Sequence, residues 1–234
     1  MQQYFIDQVL KEENEYLLPK NVIHHFNNVL KMRNGESFYL VDSQHIRYLC
    51  HYYNGYAKVF KQMNNNNELP IKVTIVQALI KNDKFDYFLM KSTELGVNQV
   101  VPLMTQRTIY KMNDKVDNKV QRWNKICFEA SCQSKRNDVP IVKKPIKLNE
   151  IKQYLSDINL VAYEDQTYDM PKLKTYIKNN QSITIVIGPE GGFDSKEIAY
   201  LIENDFKLVS LGKRILRAET AGLYVLSVID SVVE

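Results

Sequence analysis

A chain of 234 residues that is 44% hydrophobic and 25% charged is neither a disordered polymer nor a fibre, and it is long enough for two domains. Its formal net charge of +4 is too small to define a partner by itself. The first residues hold no basic cluster and no apolar run, and the most apolar stretch, 221–233, is too short for a bilayer and contains Asp230, so a soluble, cytoplasmic protein with no membrane partner is expected.

In chain order, residues 22–30 read as a helix, with Val22, Phe26, Val29 and Leu30 on one face at helical spacing. A turn at Asn34-Gly35 leads into a strand over 37–41. Two aromatic-rich runs, 47–53 and 56–60, flank Asn54-Gly55, a hairpin signal because both turn residues accept positive φ. Together these predict a small β-rich barrel with one helix. Asn64-Asn65-Asn66-Asn67-Glu68, followed by Leu69-Pro70, is the clearest break in composition and predicts a boundary between domains over 1–68 and 69–234.

Beyond the break, strands at 73–76, 99–103, 159–163, 182–187 and 208–211 alternate with helices at 83–95, 115–134, 195–203 and 220–233. Gly96 closes the first of these helices, and the second carries Trp123 and Phe128, which are read as core, with a base-stacking platform as the weaker alternative. Such alternation predicts an α/β domain with a parallel sheet covered on both faces.

Charge is distributed unevenly. Residues 1–70 hold seven basic and seven acidic residues, whereas 111–147 hold ten basic and four acidic. That excess fits either a solvated helix face or a surface that attracts phosphates. The three cysteines, Cys50, Cys127 and Cys132, form no Cys-x-x-Cys pair and have no nearby histidine, so buried reduced thiols are expected, with no metal and no disulfide framework. A catalytic thiolate is the weaker alternative, since no base stands nearby in sequence.

Five of the eight glycines fall between Gly188 and Gly222. Ile187-Gly188-Pro189-Glu190-Gly191-Gly192-Phe193 follows the strongest strand and precedes a helix that Asp194 or Ser195 would cap. This is where ligands bind in open α/β sheets. It lacks the Lys-Ser/Thr of a phosphate loop, and Glu190 would repel phosphate, so a cationic ligand or one that bonds backbone fits better. A second segment, Leu211-Gly212-Lys213-Arg214-Ile215-Leu216-Arg217-Ala218-Glu219-Thr220-Ala221, also links a strand to a helix. Cations at a helix start oppose its dipole, so local stability does not account for them.

These two segments resemble, almost letter for letter, the signatures of the bacterial 16S rRNA uridine N3-methyltransferase family of the SPOUT superfamily. Lys91-Ser92-Thr93-Glu94-Leu95-Gly96-Val97 with Pro102 and Arg107, the run from Arg122 through Glu129-Ala130 to Arg136, and His25 to Lys31 resemble further family segments in the same order. The chain departs from the family at Gln2-Gln3, at His24 and at Lys31, where arginines are usual; Arg33 stands nearby.

The resemblance implies a C-terminal SPOUT domain with a deep trefoil knot, an N-terminal PUA-like RNA-binding domain, and a homodimer that uses S-adenosylmethionine on 16S ribosomal RNA or the small ribosomal subunit. Ile187, Gly188, Pro189, Glu190, Gly191, Gly192, Leu211, Gly212, Ile215, Leu216, Thr220 and Ala221 would form the cofactor site, with Leu79 and Glu164 at other strand ends. Arg217, then Arg214, would stabilise the uracil anion. Glu219 or Glu190, or bulk water, would take the proton. His25, Lys31, Arg33, Arg107, Arg122 and Arg136 would contact RNA. Tyr52, Tyr53 and Tyr56 are read as hairpin packing, with base stacking as the alternative. Two other functions stay open: a ribose 2′-O-methyltransferase and a non-catalytic RNA-binding module.

Overall fold

The computed structural model describes residues 1–108, 116–164 and 170–233. They divide into two compact units, one of Met1–Glu68 with Ser131–Asp138, the other of Leu69–Ala130 with Val139–Glu234.

The first unit is a curled β half-barrel of five strands. Strands β1 (Gln3–Phe5) and β2 (Glu15–Leu17) and helix α1 (Lys20–His24) precede β3 (Ser37–Val41), β4 (Arg47–Tyr53) and β5 (Tyr56–Met63), in the order β1-β3-β4-β5-β2. The expected hairpin is present: Asn54 and Gly55 both take positive φ, 48° and 92°. The short edge strands β1 and β2 leave too little periodicity to be read from sequence.

The helix expected over 22–30 is divided. After α1 the chain makes a π-helical turn over His25–Leu30, closed by Lys31 at φ 53°. The wider turn rotates the later residues off the α-helical register. Phe26 is therefore fully buried against Phe38 and Tyr52, while Val29 is 63% exposed instead of packed.

The second unit holds a parallel sheet in the order β12-β10-β11-β6-β7-β8, with β9 also on β7. Its elements are β6 (Val73–Ala78), α2 (Asn82–Glu94), β7 (Gln99–Met104), α3 (Val116–Ser134), β8 (Ile141–Val142), β9 (Ile146–Lys147), β10 (Ile158–Ala162), β11 (Ile183–Ile187), α4 (Ser195–Glu203), β12 (Lys207–Val209) and α5 (Ala218–Val233). The expected helix start at Lys115 lies outside the described residues.

Alternate residues of β11 feed two cores, as pleating requires. Ile183, Ile185 and Ile187 join Phe88, Leu89, Val225 and Ile229 on one face. Val186 joins Ile198, Leu201 and Phe206 on the other. Trp123 is buried as expected, but Phe128 is 40% exposed. Five residues along a helix turn the side chain by about 140°, away from the Trp123 face. Cys50 and Cys127 are buried, and burial pushes the Cys50 thiol up to about 12, the opposite of a nucleophilic cysteine. No helix among the described residues is long and apolar enough to cross a membrane.

Candidate active site

All strand pairs of the second unit are parallel, so their carboxyl ends share one edge of the sheet. A cavity of about 400 Å³ opens there, within the range of small-molecule sites. Three segments form most of its wall: Ala162, Tyr163 and Glu164 after β10; Ile187, Gly188, Pro189, Glu190 and Gly192 after β11; and Leu211, Gly212, Arg214, Ile215, Leu216, Arg217, Ala218 and Ala221 after β12. The two glycine segments singled out from sequence thus meet in one crevice.

The first loop is closed by a turn in which the Gly192 amide donates to the Pro189 carbonyl at 3.0 Å, with Gly192 at φ 68°. A β-carbon on Gly192 would lie 2.8 Å from Glu164 Oε1, and one on Gly188 would lie 3.1 Å from the Phe193 ring. A side chain at either position would have to push a neighbour aside, and at Gly192 it would also hold a positive φ. Phe193 is buried and anchors the loop in the core beneath α4. Asp194 caps α4, accepting from the Lys196 amide at 3.0 Å, while Glu197 reaches back to the Asp194 amide at 2.9 Å.

The second loop turns at Gly212, φ 120°, and enters α5 at Ala218. Arg214 and Arg217 are exposed on the cavity wall and have no hydrogen-bond or ion-pair partner among the described residues. Ile215 beside them is 80% exposed.

Lys84, in the first turn of α2, escaped the sequence reading. Its Nζ lies 3.6 Å from Glu190 Oε1 and 3.8 Å from Glu219 Oε1, so one ammonium faces a carboxylate from each loop. Its place just after a central strand was the available signal. Tyr163, Ala162 and Ala218 were also missed; they neighbour residues that were named.

Four expected site residues are not on the wall. Leu79 is 2% exposed and belongs to the core. Gly191 turns its α-carbon toward the Arg107 stem, where a β-carbon would have 3.6 Å of clearance. Thr220 points to solvent. Glu219 is 8% exposed, and its Oε2 is buried without a hydrogen-bond partner.

The residues expected at RNA are scattered. Arg136 is 2% exposed and its guanidinium grips Glu68, with Nε 3.1 Å from Oε2, so it is a structural ion pair and presents nothing to a ligand. Arg107 donates to the Gly191 carbonyl at 2.8 Å. Arg122 pairs with Asp86. His25 Nδ1 bonds the Tyr4 hydroxyl at 2.8 Å, while Lys31 and Arg33 are exposed. Tyr52 is buried with its hydroxyl on Asn27 Oδ1, whereas Tyr53 and Tyr56 are exposed.

Part of the basic stretch 111–147 is spent on neighbouring side chains. Lys125 pairs with Glu129 at 3.8 Å, Lys144 with Asp117 at 2.6 Å, and Lys119 bonds Asn82 at 2.8 Å. Lys111 and Lys115 lie outside the described residues.

Comparison with known proteins agrees with this architecture. Residues 67–230 match the model of the RNA methyltransferase domain family. The chain is 34% identical to the ribosomal RNA small subunit methyltransferase E of Bacillus subtilis, covering 98% of this chain and 96% of that one. It is 29% identical to the same-named protein of Mesomycoplasma hyopneumoniae, over 97% and 98% of the two chains. Among solved structures, the Neisseria gonorrhoeae ribosomal RNA small subunit methyltransferase E bound to S-adenosyl methionine superposes with a TM-score of 0.89 at 28% identity, covering 99% and 98%. A Legionella pneumophila methyltransferase in complex with the same cofactor superposes at 0.86 and 26% identity, covering 98% and 96%. A family model spanning most of the second unit and a full-length relative above 30% identity converge on one placement: this chain belongs to the RNA methyltransferase family, among the ribosomal RNA small subunit methyltransferase E proteins.

Proposed function

We propose that this chain transfers a methyl group from S-adenosylmethionine to N3 of a uridine in 16S ribosomal RNA. The observation that carries the reading is the meeting of two glycine loops at one cavity, with the guanidiniums of Arg214 and Arg217, unpaired among the described residues, on its wall. The names of the full-length relatives support the small-subunit RNA as substrate, and the bound neighbours support the cofactor.

The cavity suits such a ligand. Gly188 and Gly192 bring backbone to its wall, and the carboxylates of Glu164 and Glu190 border a space that a cationic ligand would enter. The cofactor's sulfonium supplies an already activated methyl group. The chain's own task is to hold acceptor and donor in line.

Uridine N3 must lose its proton to attack. Arg217, with Arg214 beside it, donates hydrogen bonds to the uracil carbonyls as negative charge spreads onto them. Among the described residues the carboxylates of Glu164 and Glu190 line the cavity and that of Glu219 does not, so the first two are the described candidates for proton acceptor, with bulk water as the alternative.

In this reading the second unit is a SPOUT domain with a deep trefoil knot and forms a homodimer. Helix α5 supports the latter, since Tyr224 and Val232 are 38% and 41% exposed on it. The first unit is a PUA-like module that binds RNA, and the protein works in the cytoplasm. The test is methyl transfer to isolated small subunits and to naked 16S RNA, with the product digested to nucleosides. N3-methyluridine is expected. Ribose methylation would move the chain to the 2′-O class, and no transfer to either substrate would leave a binding module.

A further inference from the structure

We infer that Arg107 is a positioning residue that braces the cofactor loop, and that it acts on cofactor binding through Gly191. Its sequence context, after β7 and beside a basic segment, points to RNA, but its bonds point elsewhere. The guanidinium Nη1 donates to the Gly191 carbonyl at 2.8 Å, and Nη2 lies 3.8 Å from Asp194 Oδ2, the cap of α4. The aliphatic stem runs beneath the same glycine: a β-carbon on Gly191 would sit 3.6 Å from both Cβ and Cδ of Arg107. One side chain therefore holds the segment 188–194 by a carbonyl and by a carboxylate, with its stem facing Gly191.

The base of Arg107 is fixed as well. Glu197, only 5% exposed, accepts from the Gln106 amide at 2.8 Å through Oε1 and from the Asp194 amide at 2.9 Å through Oε2. A buried carboxylate with both oxygens on backbone amides is a rigid link. The turn itself is closed by Thr108, whose hydroxyl accepts from the Thr105 amide at 3.0 Å. The segment after β7 and the loop after β11 are thus tied at two points, one through Glu197 and one through Arg107. Of these, only Arg107 reaches a residue between Pro189 and Gly192, the part of the loop that the Gly192–Pro189 turn leaves projecting at the cavity.

A carbonyl that has lost its donor in an exposed loop is rehydrated at little cost to the fold. The loop, however, samples more conformations, and a ligand must then order it on binding. The brace therefore acts on cofactor affinity and leaves global stability and RNA affinity in place.

This inference rests on the loop being the cofactor site. Two variants test it: Arg107→Met, which keeps the stem on Gly191 and removes the donors, and Arg107→Lys, which keeps the charge. S-adenosylmethionine affinity is measured by calorimetry and 16S RNA affinity by a filter assay across a salt series. Arg107→Met is expected to weaken cofactor binding by about tenfold or more, with the unliganded unfolding midpoint unchanged and the salt dependence of RNA binding as in the parent. Arg107→Lys should recover part of the loss through a single donor. Cofactor affinity within twofold of the parent in Arg107→Met overturns the inference. Weaker RNA binding, with a salt slope reduced by about one and unchanged cofactor affinity, returns Arg107 to an RNA contact. If the parent protein itself fails to bind S-adenosylmethionine, the proposed function fails before the brace is tested.

Discussion

The Glu164 carboxylate stands 2.8 Å from the point a β-carbon on Gly192 would occupy, and Gly192 holds φ 68°. A side chain at residue 192 would therefore have to move the Glu164 carboxylate and hold a left-handed backbone. Gly192→Ala should strain the backbone and displace Glu164, at roughly 1–3 kcal/mol. If the loop holds the cofactor, calorimetry should show a loss of about ten- to hundredfold in affinity in a protein that still folds. Gly191→Ala, with 3.6 Å of clearance, should bind within a few-fold of the parent. Equal behaviour of the two variants would count against this geometry.

Arg217 is exposed, on the cavity wall and unpaired among the described residues. Arg217→Ala should bind cofactor nearly as the parent does but lower the single-turnover rate by about a hundredfold or more. Lysine should rescue poorly, because it lacks the planar fork. An unchanged rate at saturating RNA and cofactor would transfer the role to Arg214.

Helices α2 and α5 touch where a β-carbon on Gly222 would lie 2.5 Å from Phe88 Cε2. Phe88 is fully buried, and close-packed interiors leave a ring little room to shift. Gly222→Ala should therefore destabilise the protein by about 1–3 kcal/mol through overpacking. Urea denaturation measures this, and adding Phe88→Leu should restore part of the loss. A neutral Gly222→Ala would show that the two helices separate easily.

In the first unit, Glu68 accepts from Arg136 and also from the Asn137 and Asp138 amides at 2.9 and 3.0 Å. The two side chains are 7% and 2% exposed. Glu68→Ala leaves a buried guanidinium and two amides without their acceptor, which should cost roughly 3–5 kcal/mol. Denaturation at neutral pH reads this directly, and a loss below that expected of an exposed pair would show that water replaces the carboxylate.

Burial pushes Cys50 from 9.0 up to about 12, and burial, then the neighbouring Cys132, pushes Tyr4 from 10.0 up to about 12. Both groups favour their neutral forms when folded. Their contribution to stability is full below pH 9 and is lost as pH rises toward 12. Alkaline unfolding of the first unit should fall in that window and be accompanied by sudden thiol reactivity. Reaction of Cys50 near pH 9 while the unit stays folded would refute this.

Much of the architecture was legible because periodicity and turn chemistry act locally. The β-branched run at 183–187, the Asn54-Gly55 hairpin and the glycine-bearing loops after β11 and β12 could be placed from neighbouring residues alone. Their pattern also carried the resemblance that the full-length relatives bear out.

Tertiary structure decided what depends on distant partners. No local feature separates Arg136, buried on a glutamate 68 residues away, from Arg217, exposed on the cavity wall. Lys84 entered the site because packing sets α2 beside α5, and Gly191 left its wall because Arg107 stands behind it. Composition and spacing determine which elements form and where a ligand loop lies. Which charge is spent on another side chain, and which remains for a ligand, follows only from the three-dimensional neighbours that desolvate or pair it.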